Sequence, residues 1–172
     1  MKIVCIFAKQ LYAFHYKDEI YNEFDRNMDL WTDPNYLSEF GKKNKLQDVY
    51  VFVDEILQDA QVLENLLDDV SQRIKSSSSY FEALDLSEYD KKLPFQKGKI
   101  RFNKLRFYAI KIDVDCYVIT GGAIKMSQKM EDHPDTANEL LKLKAAREFL
   151  NSNGVFDDGS FYELLAKQNE NE

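Results

Sequence analysis

The chain has 172 residues, 44% of them hydrophobic and 13% aromatic, enough to bury the core of one domain and too aromatic for a disordered segment. Its net charge of -7 and pI of about 5.0 exclude a protein that coats nucleic acid nonspecifically. Charge is nevertheless segregated: ten Lys or Arg against two Asp lie between Lys91 and Lys129, so the remainder is strongly acidic.

Lys2–Ala8 and Leu11–Tyr16 read as two short strands, the first apolar enough to be covered on both faces. Lys9 and Gln10 interrupt that run too early for a secretory signal, and no segment approaches a membrane span, so a cytoplasmic protein is expected. Cys5 and Cys116 both sit in apolar runs with neither metal-ligand nor redox spacing. Each is expected to be a buried, reduced thiol, with a disulfide between them as the other arrangement. Ile20, Phe24, Met28 and Trp31 then fall at helical spacing, which predicts a helix over Asp18–Trp31. Asp33 and Pro34 supply an N-cap and a first helical position for a second helix, which carries Tyr36, Leu37 and Phe40 and ends near Gly41. Lys42–Lys45 reads as a solvated basic connection.

Val53, Ile56, Ala60, Leu63, Leu67, Val70 and Ile74 recur at three- and four-residue steps, a heptad-like seam on a helix from about Asp54 to Lys75. Such a seam can pack on its own domain or on a second copy. Ser76–Ser79 reads as a flexible boundary, and Tyr80–Leu86 as a further helical turn or two. Residues 47–89 thus read as a helical insertion within a single domain spanning 1–172.

From Lys91 the chain turns basic. Lys97, Lys99, Arg101, Lys104 and Arg106 interleave with Ile100, Phe102, Leu105 and Phe107, which on an extended chain puts cations on one side. The phase slips between Arg101 and Lys104, so a bulge or turn is expected at Asn103. Past Tyr108 the apolar residues Ile110 and Ile112 take the parity of Arg106, which implies that the strand is covered differently at its two ends. Leu105–Asp113 and Cys116–Met126 are strand-like and separated only by Asp113-Val114-Asp115, the signature of a hairpin. Gly121 and Gly122 inside its second strand mark a bulge or a close approach by a ligand. A long helix follows from His133-Pro134, with Thr136 and Glu139 at capping-box spacing and Ala137, Leu140, Leu141, Ala145 and Phe149 as its apolar face. Ser160–Lys167 closes the chain with a short helix. The fold class is therefore α+β: an antiparallel sheet centred on the 105–126 hairpin, with helices packed on it.

Phosphate loops, dinucleotide fingerprints, zinc spacings and nucleophile elbows are missing, so neither metal nor cofactor is expected. His15 lies among aromatic neighbours and His133 stands before Pro134, so both read as structural. What remains is the basic, aromatic hairpin with Lys104, Arg106 and Tyr108 on one strand and Lys125 and Lys129 at the end of the next. Cations beside rings suit single-stranded RNA, because phosphates need charge and splayed bases need aromatic surfaces. They also suit RNA cleavage by the 2′-oxygen, which needs a base, cations for the phosphorane charge and an acid for the leaving oxygen. Ordinary solvent-side residues of a half-exposed sheet give the same pattern.

Arg106-Phe107-Tyr108-Ala109-Ile110, then Tyr117–Lys129 with Gly121 and its lysine-rich exit, then the helix Asp135–Leu150, resemble the C-terminal half of the RelE/HigB-like toxin family. The resemblance covers about residues 105–150. It implies a small α+β fold, cleavage of ribosome-bound mRNA and a partner antitoxin protein, with Arg106, Lys125 and Lys129 touching or cleaving RNA. Combined with the residue-level reading, the candidate catalytic residues are Arg106, Tyr108 and Lys125, and the candidate RNA contacts Lys97, Lys99, Arg101, Lys104 and Lys129. This chain departs from that family in its length, its acidity, the 47–89 segment and its opening strand pair. A protein-interaction module that kept the fold without the reaction, or a homodimer, is the alternative.

Overall fold

The computed structural model describes residues 1–172. Strands β1 (Lys2–Phe7), β2 (Leu11–His15), β3 (Phe81–Ala83), β4 (Phe95–Gly98), β5 (Leu105–Asp113) and β6 (Cys116–Ile124) form one sheet in the order β1-β2-β6-β5-β4-β3. Every neighbouring pair is antiparallel except β2 with β6. The hairpin expected around 105–126 is therefore the centre of the sheet. It is covered on one face by α1 (Glu23–Trp31), α2 (Pro34–Lys43) and α3 (Val49–Ser71), and on the other by α4 (Pro134–Ser152) and α5 (Asp158–Glu170).

The period-two geometry of β5 sorts its side chains between these layers. Leu105, Phe107 and Ala109 enter the core shared with α1–α3, while Tyr108, Ile110 and Ile112 enter the one shared with α4 and α5. Arg106 shares the parity of Tyr108, Ile110 and Ile112, as the sequence pattern required.

The heptad seam faces the sheet. Phe52, Ile56, Ala60, Leu63 and Leu67 lie in the same buried cluster as Phe107 and Tyr117, so the surface that a second copy would have used is already occupied. The helix begins earlier than the seam suggests because Asp48 caps it by accepting from Val51 N–H at 3.1 Å. Phe52 is buried where Val53 was expected, and Ile74 lies beyond the helix, exposed. Within the 47–89 segment, α3 packs as a layer on the sheet, and Phe81–Ala83 adds the edge strand β3 in place of the expected helical turn. Ser76–Ser79 is held, not loose, since Ser77 and Ser78 donate to Asp115 in the hairpin turn.

Local readings fail where polar residues are buried or apolar ones are not. Helix α1 starts at an Asn22 N-cap, leaving Ile20 outside and exposed. β1 is an edge strand, so Cys5 is exposed while Cys116 is buried, and both thiols are free. On α4 the imidazole of His133, not Thr136, is the N-cap, accepting from Asp135 N–H at 3.2 Å. The buried stripe is Thr136, Glu139, Leu143, Ala146 and Leu150, with Leu141 exposed. Glu139 is therefore a core acid, not a capping-box glutamate. Helix α5 is capped reciprocally by Asp157 and Ser160, and its Gln168 amide pairs with the backbone of Ile3, covering the outer edge of β1.

Candidate functional site

The strand ends around the hairpin gather cations on the α4 side. Lys97 of β4 pairs across from Tyr108 of β5, and Arg106 across from Ala123 of β6. Lys125 extends the ladder by donating its backbone N–H to the Lys104 carbonyl at 2.8 Å. The chain then loops through Lys129 into α4, whose Thr136 and Leu140 form the far wall. Thr136 anchors that loop by donating its hydroxyl to the Met130 carbonyl at 2.6 Å. The result is a cavity of about 220 Å³ in which Lys97, Arg106, Tyr108, Lys125 and Lys129 meet.

Arg106 is only 7% exposed, and its Nη1 donates to the carbonyls of Asn103 at 2.5 Å and Leu105 at 2.9 Å. No carboxylate pairs with Arg106, Lys125 or Lys129, whereas Lys97 reaches Glu82 at 3.9 Å. Asp85 and Glu131 are the acids on the rim, so four cations face two carboxylates. Hydrogen bonding from Ser87 holds Asp85 below the usual carboxylate range, aided by the charges of Lys91 and Lys97. Desolvation lowers the Lys125 ammonium below an ordinary lysine, and the charges of Arg106, Lys97 and Lys99 push it further down. Burial pushes the Tyr108 phenol up to about 12, with Arg106 opposing and Glu139 adding. Tyr108 therefore keeps its proton at neutral pH, and Lys125 releases its proton more readily than an ordinary lysine.

The three expected catalytic residues share this pocket with Lys97 and Lys129. Lys99 lies close enough for its charge to act on Lys125. Arg101 and Lys104 are elsewhere, because β4 stops at Gly98 and residues 99–103 form a turn instead of one continuous strand. Arg101 stands over Phe102, and Lys104 pairs with Glu55 of α3 at 3.4 Å, on the opposite face. The predicted turn at Asn103 is present: its side chain donates to the Asp59 carbonyl and accepts from Leu105 N–H, both at 2.9 Å.

Sequence reasoning missed a second polar cluster on β6. Beyond Ile119 this strand has no partner on the β2 side, and Tyr16 donates its hydroxyl to the Thr120 carbonyl at 2.6 Å. Glu23 of α1, buried, accepts from Arg26 at 2.8 and 3.0 Å, and Lys142 of α4 bridges Glu23 at 3.4 Å and Glu139 at 3.0 Å. Desolvation raises the Glu139 carboxyl to about 7, against the lowering influence of Lys142. Its Oε2, fully buried and without a partner, lies where a Cβ on Gly121 would fall. A Cβ on Gly122 would come within 2.9 Å of the Trp31 ring on the other face. The paired glycines thus adjoin a bulge at Thr120, and the groups that approach them are side chains of α1 and α4. Glu23 and Glu139 each stand one helical turn before a cation on helices read as exterior, the spacing of an ordinary surface pair, so nothing in the sequence signalled this network.

No group of three or more His, Cys, Asp or Glu side chains is gathered as a metal cage. His15 and His133 are both structural, bonded to the Glu19 carbonyl and the Asn44 side chain at 2.8 Å each. No helix is long and apolar enough to cross a membrane. The chain matches no protein-family model, no curated protein and no solved structure.

Proposed function

We propose that the chain is a RelE/HigB-like endoribonuclease, or a relative of one, acting on single-stranded mRNA without a metal and restrained by a partner antitoxin. The observation that supports this reading is the cavity holding Arg106, Tyr108 and Lys125 together, with the first and last free of any carboxylate. A buried guanidinium facing backbone carbonyls lacks the counter-charge that a phosphodiester supplies. In the reaction, the neutral Lys125 amine takes the proton of a ribose 2′-hydroxyl, and the 2′-oxygen attacks the adjacent phosphorus. Arg106, with Lys97 and Lys129, holds the charge on the phosphoryl oxygens. The bond from phosphorus to the 5′-oxygen breaks, and that oxygen takes the Tyr108 phenolic proton. A 2′,3′-cyclic phosphate and a free 5′-hydroxyl result, and solvent returns one proton from Lys125 to Tyr108.

Cleavage of a single-stranded RNA by the purified chain, with end-group analysis of the fragments, tests the proposal. The fragments are expected to carry 2′,3′-cyclic phosphate, and Arg106→Ala is expected to slow cleavage by about 100- to 1000-fold. Intact RNA with the wild-type chain, both alone and with ribosomes, would instead favour a relative that binds a partner protein without catalysis.

A further inference from the structure

Two apolar residues outside glycine adopt left-handed backbone: Leu93 at φ 52° and Phe102 at φ 63°. For a bulky side chain that conformation is strained and persists only where something holds it. Leu93 is buried, so packing accounts for it. Phe102 is 89% exposed, and its ring is covered only by the Arg101 guanidinium, 4.8 Å from the centroid. The rest of the turn is pinned from behind. Asn103 N–H donates to the Ile100 carbonyl at 3.0 Å, the Asn103 side chain binds α3, and Arg106 donates to the Asn103 carbonyl. Bonded neighbours therefore hold a strained, solvent-facing ring on the turn that enters β5, four residues before Arg106. Lys125 donates to the carbonyl of Lys104, two residues further along.

We infer that Phe102, backed by Arg101, is a base-stacking platform that receives a nucleobase of single-stranded RNA whose neighbouring phosphate occupies the Arg106–Lys125 pocket. This rests on the RNA reading of that pocket and names where a base next to the bound phosphate would stack. The pocket is lined by cations with Tyr108 as its one aromatic side chain, so a second ring nearby gives a base the aromatic face that the phosphate site does not supply. A guanidinium on one side of the ring leaves the other side for the base and adds charge for its backbone.

Two probes of equal length and charge separate the contributions in equilibrium binding to the full chain: a 2′-O-methyl hexaribonucleotide, which cannot be cleaved, and the same backbone without bases. Phe102→Ala and Phe102→Gly are expected to weaken the hexanucleotide about tenfold and to leave the abasic strand within about twofold. Phe102→Gly also relieves the left-handed strain, so its thermal midpoint is expected to rise by about 2 °C. A gain in stability with a loss of binding is a combination that a purely structural residue does not give. Arg106→Ala is expected to weaken both probes. If the Phe102 variants affect both probes equally, or neither, while Arg106→Ala weakens both, the platform is overturned and the pocket reading stands. If Arg106→Ala weakens neither, the pocket reading falls and takes the platform with it.

Discussion

The two polar clusters beside β6 use similar residues to opposite ends. Around Gly121, Arg26 and Lys142 each hold carboxylates within 3.4 Å, and the acids they neutralise are buried. Around Arg106, the guanidinium is also buried but bonded only to carbonyls, and Lys125 makes no ion pair with Asp85 or Glu131 on the rim. A buried charge that is neutralised within the fold specifies how helices sit on a sheet. One that is not neutralised within the fold is a candidate site for an anion from outside, as proposed here. Both clusters are built from charged residues beside the same pair of strands, so composition alone does not distinguish them; partnering does.

Breaking the compensated cluster is expected to damage the fold and not the ligand site. Gly121→Ala drives a methyl group into the Glu139 carboxylate and is expected to cost about 3 kcal/mol in urea unfolding. Glu139→Ala in the same chain should recover part of that loss, because it removes the obstacle.

Titration of Glu139 gives a somewhat smaller effect with a defined sign. Its carboxyl holds a proton more tightly when folded, to about pH 7, than its ordinary value of 4.5 allows. The stability it contributes is then fully present below pH 4.5, falls between pH 4.5 and 7, and is lost above. Between pH 5 and 7 that fall is expected to be about 2 kcal/mol, and Glu139→Gln should flatten it. Unfolding curves at about pH 5, 6 and 7 measure it; a variant that keeps the same slope would assign the pH dependence to another group. Smallest of all, Lys104→Ala removes an exposed pair with Glu55 and is expected to change stability by no more than about 0.5 kcal/mol.

The sequence carried the central hairpin well because its signals agreed: β-branched and aromatic runs, a three-residue polar connection, and a parity that correctly put Arg106 with Ile110 and Ile112. The slip at Asn103 likewise marked the turn that follows β4. It also explains why two expected RNA residues fall outside the pocket, since alternation across a turn does not keep Arg101 and Lys104 on the face of Arg106. The α4 face was misread for a different reason. Thr136 and Glu139 occupy buried positions, so the apolar pattern pointed to Leu141, which faces solvent. Short edge strands such as Phe81–Ala83 carry too few residues to show a period, and the serine run before them resembles a linker until Asp115 is seen to bind it. The compensated cluster was illegible because Glu23 and Glu139 are 116 positions apart in the chain and meet only where β2 runs out.

The most direct measurement of the difference between the two clusters is the salt dependence of single-stranded RNA affinity. Each cation that ceases to neutralise a phosphate should reduce the slope of log affinity against log salt by about 0.7. Arg106→Ala and Lys129→Ala are each expected to give that reduction, with Lys104→Ala leaving the slope unchanged. Equal slopes for the wild-type, Arg106→Ala and Lys129→Ala chains, or a reduction confined to Lys104→Ala, would contradict the assignment of the uncompensated cations to a polyanion.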